Sequence, residues 1–260
     1  MGSVGRALMW HEFFERSRDR WVLVASGLFA LLACGVSLYG SGAGENAPAL
    51  IGPSLVTLAS LFVPLVALVL GHDAVVGEHE RNTLGLLLSL PLGRGELVLG
   101  KFAGRLLALT LAIMLGLGLP MLFTGTFSAA LLGHTLLLGA AFLSVGMLLS
   151  VLTRNQVTAA SMAISLWFIL VFFYDMGLLG LLVLSDGSVS NTLISWLVQL
   201  NPAGLFRIQM MTFYAGTEVL ANLGLTTGLP SMLIGSSIWT AWIVGPALLG
   251  GLLLRRGRFI

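Results

Sequence analysis

Six apolar runs, each about the length of one bilayer crossing, recur along this chain at 21–39, 53–71, 106–123, 129–152, 156–174 and 231–254. A hydrocarbon core about 30 Å thick takes roughly 20 helical residues, so each run reads as one transmembrane helix. The expected fold is an all-α integral membrane protein of six spans, with 1–260 forming one membrane domain. Composition agrees: 57% of residues are hydrophobic and only 9% charged, where a soluble domain carries about a quarter charged. Pro64 falls inside the second run and is tolerated there, because neighbouring helices can satisfy the carbonyl it frees. The first run is expected to be a span and not a cleavable signal, since its charged lead is long and more spans follow.

Residues 1–20 precede the first span. Val4, Leu8, Phe13, Phe14 and Trp21 fall near helical spacing, while Arg6, Glu12, Glu15, Arg16, Arg18, Asp19 and Arg20 supply a charged side. This pattern predicts an interfacial amphipathic helix with a solvated charged face, supported by a Glu12–Arg16 pair four residues apart.

The basic residues set the orientation. Arg6, Arg16, Arg18, Arg20, Arg81, Arg94, Lys101, Arg105, Arg154, Arg255, Arg256 and Arg258 fall on one side of a six-span topology, which is twelve of the thirteen; Arg207 alone falls on the other. The positive-inside rule makes the first side cytoplasmic, together with both termini. A basic face for nucleic acid is not indicated, because the cations flank apolar runs and form no stripe.

Between spans 2 and 3 lies 73–105, a stretch dense in charge and broken by Leu90-Pro91-Leu92-Gly93-Arg94-Gly95. It must lie in water or at a protein contact beside water. Its part from Thr83 to Leu90 is leucine-rich and too short to cross a bilayer. It reads as a short helix at the membrane face presenting Thr83, Leu84, Leu87 and Leu88, with Pro91 ending it.

From Asp175 to about residue 230 the pattern is irregular. The apolar piece 177–184 is either a tilted extension of span 5 or the start of a re-entrant segment. Two short helices are expected at 192–200 and 202–214, meeting where Asn201 caps and Pro202 takes the first helical position; 216–230 reads as loop.

Sites for chemistry are few. Gly95 to Lys101 matches half of a phosphate-binding loop, but Phe102 replaces the magnesium-ligating hydroxyl and no strand precedes it. His11, Glu12 and Glu15 lack the second histidine of a zinc-protease motif. His72, Asp73, Glu78, His79 and Glu80 form the densest set of potential ligands and fit equally a solvated acidic turn. Met210 and Met211 offer soft sulfur, but methionine at an apolar contact is ordinarily packing. Asp175, at the edge of a span, is costly enough there to be a functional candidate. The single cysteine, Cys34, excludes an intrachain disulfide. No metal is expected in this chain, and no nucleophile has a base within reach by spacing, so an intramembrane hydrolase or transferase is set aside.

Glu78-x-Glu80-x-x-Thr83-Leu84, then Leu87-Leu88-Ser89-x-Pro91, Arg94 and Gly100-Lys101, resembles the cytoplasmic loop of ABC-2 type transporter permeases, as do the charged amino-terminal helix and the six spans. The resemblance implies a coupling helix docking in a groove of a separately encoded ABC ATPase, with Glu78, Glu80, Thr83, Leu84, Leu87, Leu88, Ser89, Pro91, Arg94 and Lys101 as its coupling residues. ATP and Mg2+ would then sit on the ATPase and not on this chain. The family's common glycine before Thr83 is Asn82 here. AVVGEHE, LLLSLPLGRGELVLGKF, FYDMGLLGLLV and LNPAGLFR are closer still to the membrane subunits that serve nitrous oxide reductase maturation. That likeness implies a homodimer in the bacterial inner membrane that conveys ATP-driven motion to a periplasmic copper-handling protein, with copper on that partner. Asp175, Asn201, Pro202, Phe206 and Arg207 are its candidate contacts. The competing reading is an ABC-2 exporter of a lipid, drug or sulfur species. Polar groups in a mid-membrane seam would favour passage, and a dry leucine-rich seam would favour transmitted force.

Overall fold

Backbone amides in hydrocarbon must pair within their own helix, and in the computed structural model every apolar run is helical. The structure describes residues 2–41, 47–83, 85, 93–185, 189–222 and 232–255. In chain order its helices are α1 (Ser3–Ser17), α2 (Arg20–Ser41), α3 (Ala47–Gly71), α4 (Val76–Glu80), α5 (Arg94–Ile113), α6 (Leu119–Phe123), α7 (Ala129–Leu152), α8 (Gln156–Phe168), α9 (Tyr174–Leu184), α10 (Asn191–Leu200), α11 (Pro202–Asn222) and α12 (Met232–Arg255). Six helical stretches are long and apolar enough to cross a membrane: Arg20–Gly40, Leu50–Glu80, Gly95–Phe123, Ala129–Leu152, Gln156–Leu184 and Met232–Leu254. No strand occurs among the described residues.

Span 4 (α7) is apolar on all sides and forms the centre of the bundle, as a helix without a polar face must. Its Phe142, Leu138 and Leu143 join Leu55, Val56, Ala59 and Val63 of span 2 in the main core, together with Leu109, Ile113 and Leu117 of span 3. Spans 2 and 4 cross backbone to backbone at two glycines. A Cβ on Gly71 would lie 2.9 Å from Gly146 Cα, and one on Gly146 would lie 3.1 Å from Gly71 Cα. Close approach of this kind is what small residues permit between membrane helices.

Proline breaks recur inside the spans, and neighbouring helices satisfy the backbone near them. Trp167 Nε1 donates to Leu61 O, three residues before Pro64, at 3.0 Å. Ser144 Oγ donates to Ile243 O, three residues before Pro246, at 2.6 Å. In span 3 a π-helical segment, Met114–Gly118, leads into Pro120 and absorbs the missing amide. A second π segment, Ile169–Phe173, joins α8 to α9.

Four boundaries differ from the sequence expectation. Span 2 begins at Ala47 and not at 53, so 47–52 is helical and not loop. Span 3 begins at Arg94 and not at 106, because partners neutralise Lys101 and Arg105 and the helix runs straight through them. Of the two readings of 177–184, the continuation holds: Gln156–Leu184 is one helical stretch across its π segment. Its 29 residues measure about 43 Å at 1.5 Å per residue, longer than the hydrocarbon is thick. The helix after Pro202 runs to Asn222 and not to 214, so 216–222 is helical and not loop.

Candidate functional site

The third and fourth turns of α5 carry Lys101 and Arg105, four residues apart and therefore on one face. Helix α1 lies across that face at Gly104, where a Cβ would come within 2.4 Å of Met9 O and 2.7 Å of Glu12 Cβ. Only glycine lets the two helices meet so closely, and the contact delivers Glu12 between both cations. Lys101 Nζ donates to Glu12 Oε1, while Arg105 Nε donates to Glu12 Oε2 at 3.0 Å.

The end of span 2 closes the cluster from the other side. Arg105 Nη1 donates to Asp73 Oδ1 at 2.6 Å and to Leu70 O, a carbonyl in the last turn of α3. Arg16 of α1 meets Asp73 Oδ2 at 2.7 Å, and Lys101 also reaches Glu78 Oε1 at 2.9 Å. Three cations thus face three carboxylates. Lys101 and Glu12 are each only 1% exposed and Arg105 is fully buried, so every charge depends on its partners. Burial alone would push the Glu12 carboxyl up, but the adjacent Arg105 and Lys101 charges outweigh it and hold the group below the usual carboxylate range.

Helix α4 stands on this cluster. Its start is capped by Ser150 Oγ of span 4, which accepts from Val75 N at 2.9 Å and Val76 N at 3.0 Å. Its end is a Schellman turn: Thr83 N donates to Glu78 O at 3.0 Å and Asn82 N to His79 O at 3.1 Å, with Asn82 left-handed at φ 57°. Thr83 Oγ1 also donates to Glu78 Oε2. From the last residue of α4, Glu80 Oε1 accepts from Gln156 N, the first amide of span 5, at 2.8 Å.

On the opposite side of the bundle α10 and α11 form a hairpin whose turn, Asn201 and Pro202, is buried. Buried helix ends need partners for their free carbonyls and amides, and they have them here. Tyr174 Oη donates to Leu197 O, and Trp242 Nε1 donates to Leu200 O at 2.9 Å. Asn201 Oδ1 accepts from Ala203 N at 3.1 Å, while its Nδ2 donates to Leu170 O in the π segment of span 5 at 2.6 Å. Arg207 pairs with Asp175.

The match to known proteins is decisive at this point: residues 6–256 fit the profile of the family described as ABC-2 family transporter protein. The chain belongs to that family. Two similar ABC-2 relatives are each named probable ABC transporter permease protein NosY. The one from Pseudomonas aeruginosa is 39% identical over 247 residues, 88% of this chain and 89% of the relative. The one from Stutzerimonas stutzeri is 38% identical over 268 positions, 94% of this chain and 95% of the relative. The chain is thus an ABC-2 permease-type membrane subunit, a multi-pass protein of the kind that associates with an ABC ATPase.

Against this ABC-2 frame the predicted site residues separate into three groups. Glu78, Glu80, Thr83 and Lys101 lie together around α4. Leu84, Leu87, Leu88, Ser89 and Pro91 lie outside the described residues, as does the side chain of Arg94. At the other end, Asp175 and Arg207 are brought together and half-buried, whereas Asn201, Pro202 and Phe206 are turned into the bundle. The charged face expected on α1 is not solvated at Glu12, whose partners are Lys101 and Arg105; Arg16 turns to Asp73. Sequence reasoning did not single out Glu12, Asp73, Arg105, Ser150 or Gln156 as parts of the site. A signal existed: two cations four apart at the head of an apolar run demand buried acids, and the lone carboxylate amid the aromatic residues of α1 supplies one. Asp73 and Glu78 serve those cations, and His72 Nδ1 is within hydrogen-bond distance of Val69 O at 2.7 Å, so the ligand set read at 72–80 does not converge on a common point.

Proposed function

We propose that this chain is the membrane subunit of an ABC-type complex, working as a homodimer with both termini in the cytoplasm of a bacterial inner membrane. It couples ATP hydrolysis by a separate cytosolic ABC ATPase, which holds the ATP and Mg2+, to a periplasmic copper-handling partner, and so supports copper-site assembly in nitrous oxide reductase. The observation that carries this reading is the buried cluster of Glu12, Asp73, Glu78, Lys101, Arg105 and Arg16. It joins α1 to the end of span 2 and the head of span 3, the two elements that flank 84–92 in the chain, as one body. A docking segment mounted on such a base hands its movement to spans 2 and 3 with little loss, as switching by rigid-body motion requires. Helix α1 would lie at the membrane interface, with Trp10 and Phe14 exposed toward lipid headgroups. The likeness of 173–183 and 200–207 to membrane subunits that serve nitrous oxide reductase maturation supports the copper part of this reading.

A second reading, export of a lipid, drug or sulfur species, draws on one feature. A groove of about 420 Å3 between spans 4 and 5 is lined by Thr158, Ser161 and Ser165 beside Met162 and Ile169, and hydroxyls there suit a polar passenger. Copurification from cells expressing the neighbouring reading frames separates the two. A stable complex with an ATPase and a periplasmic partner, without ATP-driven lipid or drug movement in proteoliposomes, supports the first. An ATPase alone, with transport, supports the second.

A further inference from the structure

Span 5 differs from the other spans in how it is held. Only 6% of its apolar window is buried within the chain, against 78% for span 4, so packing within one protomer holds it little. Its hydrogen bonds to other elements fall at three levels. At the inner end, Glu80 Oε1 takes the Gln156 amide at 2.8 Å, a carboxylate on the positive end of a helix dipole. Asn155 Oδ1 caps the same end through Thr158 N at 2.7 Å. Midway, Trp167 Nε1 donates to Leu61 O beside Pro64 at 3.0 Å. At the outer end the π segment and the residues after it hold the α10–α11 hairpin: Leu170 O by Asn201, Tyr174 by Leu197 O, and Asp175 by Arg207.

We infer that span 5 is a lever moved from its inner end, and that Glu80 is the positioning residue that ties that end to α4 and hence to the docking segment. This rests on the coupling reading above and assigns its route. Helix α4 is suited to drive it, since Ser150 and the left-handed turn at Asn82 fix both its ends. Gly77 also sits against Gln156, where a Cβ would lie 2.8 Å from Nε2. Glu80 is exposed, but its bond to span 5 gives it work that does not need the ATPase.

The bond can be cut from either side. Glu80→Ala removes the acceptor; Glu80→Gln keeps an amide oxygen that accepts in its place. Gln156→Pro removes the donor and leaves Glu80 untouched. Proline is at home in the first turn of a helix, and Asn155, with φ −141° and ψ 153°, already has the backbone a following proline requires. The assay uses the assembled complex with its ATPase in nanodiscs, in a Cys34→Ala background. Spin labels at Trp196→Cys on the hairpin and Phe127→Cys on the turn between spans 3 and 4 report the outer distance with and without ATP and vanadate.

The expected result is a nucleotide-dependent shift in the parent and in Glu80→Gln, reduced at least twofold in Glu80→Ala and Gln156→Pro, with the ATPase still bound. A full shift in Gln156→Pro overturns the lever. So does release of the ATPase by Glu80→Ala with Gln156→Pro behaving as the parent, which would make Glu80 a docking contact. If Gln156→Pro does not assemble, the contrast between Glu80→Ala and Glu80→Gln decides: equal shifts overturn the assignment. A parent complex that binds ATPase yet shows no shift removes the coupling reading itself along with the lever.

Discussion

Glu12 is the residue on which the inner cluster turns, because among the described residues it alone bonds both Lys101 and Arg105. Glu12→Ala leaves two buried cations short of a partner, and breaking a buried pair in this way costs about 3–5 kcal/mol. The expected outcome is a clear fall in the thermal unfolding temperature of the purified protein, larger than that from Glu15→Ala at the half-exposed neighbour. The sign with pH follows from the lowered carboxyl. The stabilisation is complete above the ordinary glutamate value of about 4.3 and is lost as pH falls through the lower folded value. The unfolding temperature of the parent should therefore drop on acidification below about pH 4, and that of Glu12→Gln should drop less; parallel curves would refute the assignment. Only the need for acids beside Lys101 and Arg105 was legible by pattern, not which acid meets it. Charge on α1 looked like a solvated face, since a helical wheel shows only that acids and bases share a side and not that a second helix arrives to bury one of them.

Single helices were read well where hydropathy alone decides, and less well where polar partners override it. Span 4 has its expected bounds because nothing in 129–152 competes with burial. Span 3 starts three turns early because the charges of Lys101 and Arg105 mark water only while their partners are unknown. Helix α4 shows a subtler override. The sequence says only that Asn82 stands where the family commonly has glycine; its left-handed φ of 57° shows that a backbone conformation is required there, and asparagine supplies it. Asn82→Gly should leave stability and ATPase binding unchanged within error. Asn82→Val should cost about 1–3 kcal/mol through strain and shorten α4 in amide hydrogen exchange. The crossing of spans 2 and 4 is as strict. Gly71→Val must push Gly146 away, and overpacking costs about 1–3 kcal/mol; thermal unfolding measures the loss, which Gly133→Val, in open space on the same bundle, should not reproduce.

The molecule as a whole divides into an inner end built on charge and an outer end built on side chains bonded to helix-end carbonyls. With the charged end placed in the cytoplasm, as proposed, that division predicts a labelling pattern. A cysteine at Phe127, in the turn between spans 3 and 4, should react with an impermeant maleimide in cells whose outer membrane is permeabilised. One at Arg154, between spans 4 and 5, should react only after the inner membrane is opened. The reverse pattern would invert the topology and with it the coupling reading. The six-span plan and the family were plain in the sequence, because length and hydropathy fix the first and the 78–101 motif the second. The route between the two ends was not, since it runs through hydrogen bonds between residues dozens of positions apart.

The carbonyls near the breaks in spans 2, 5 and 6 have one more consequence. An interrupted helix in a bilayer offers lone pairs on which a file of water can begin, and such files conduct protons. With Leu61 O held by Trp167, Ile243 O by Ser144 and Leu170 O by Asn201, side chains of neighbouring helices stopper lone pairs beside the breaks and leave fewer acceptors there for water. Trp167→Phe keeps the ring and removes the stopper, and vesicles carrying it should acidify faster under an imposed pH step.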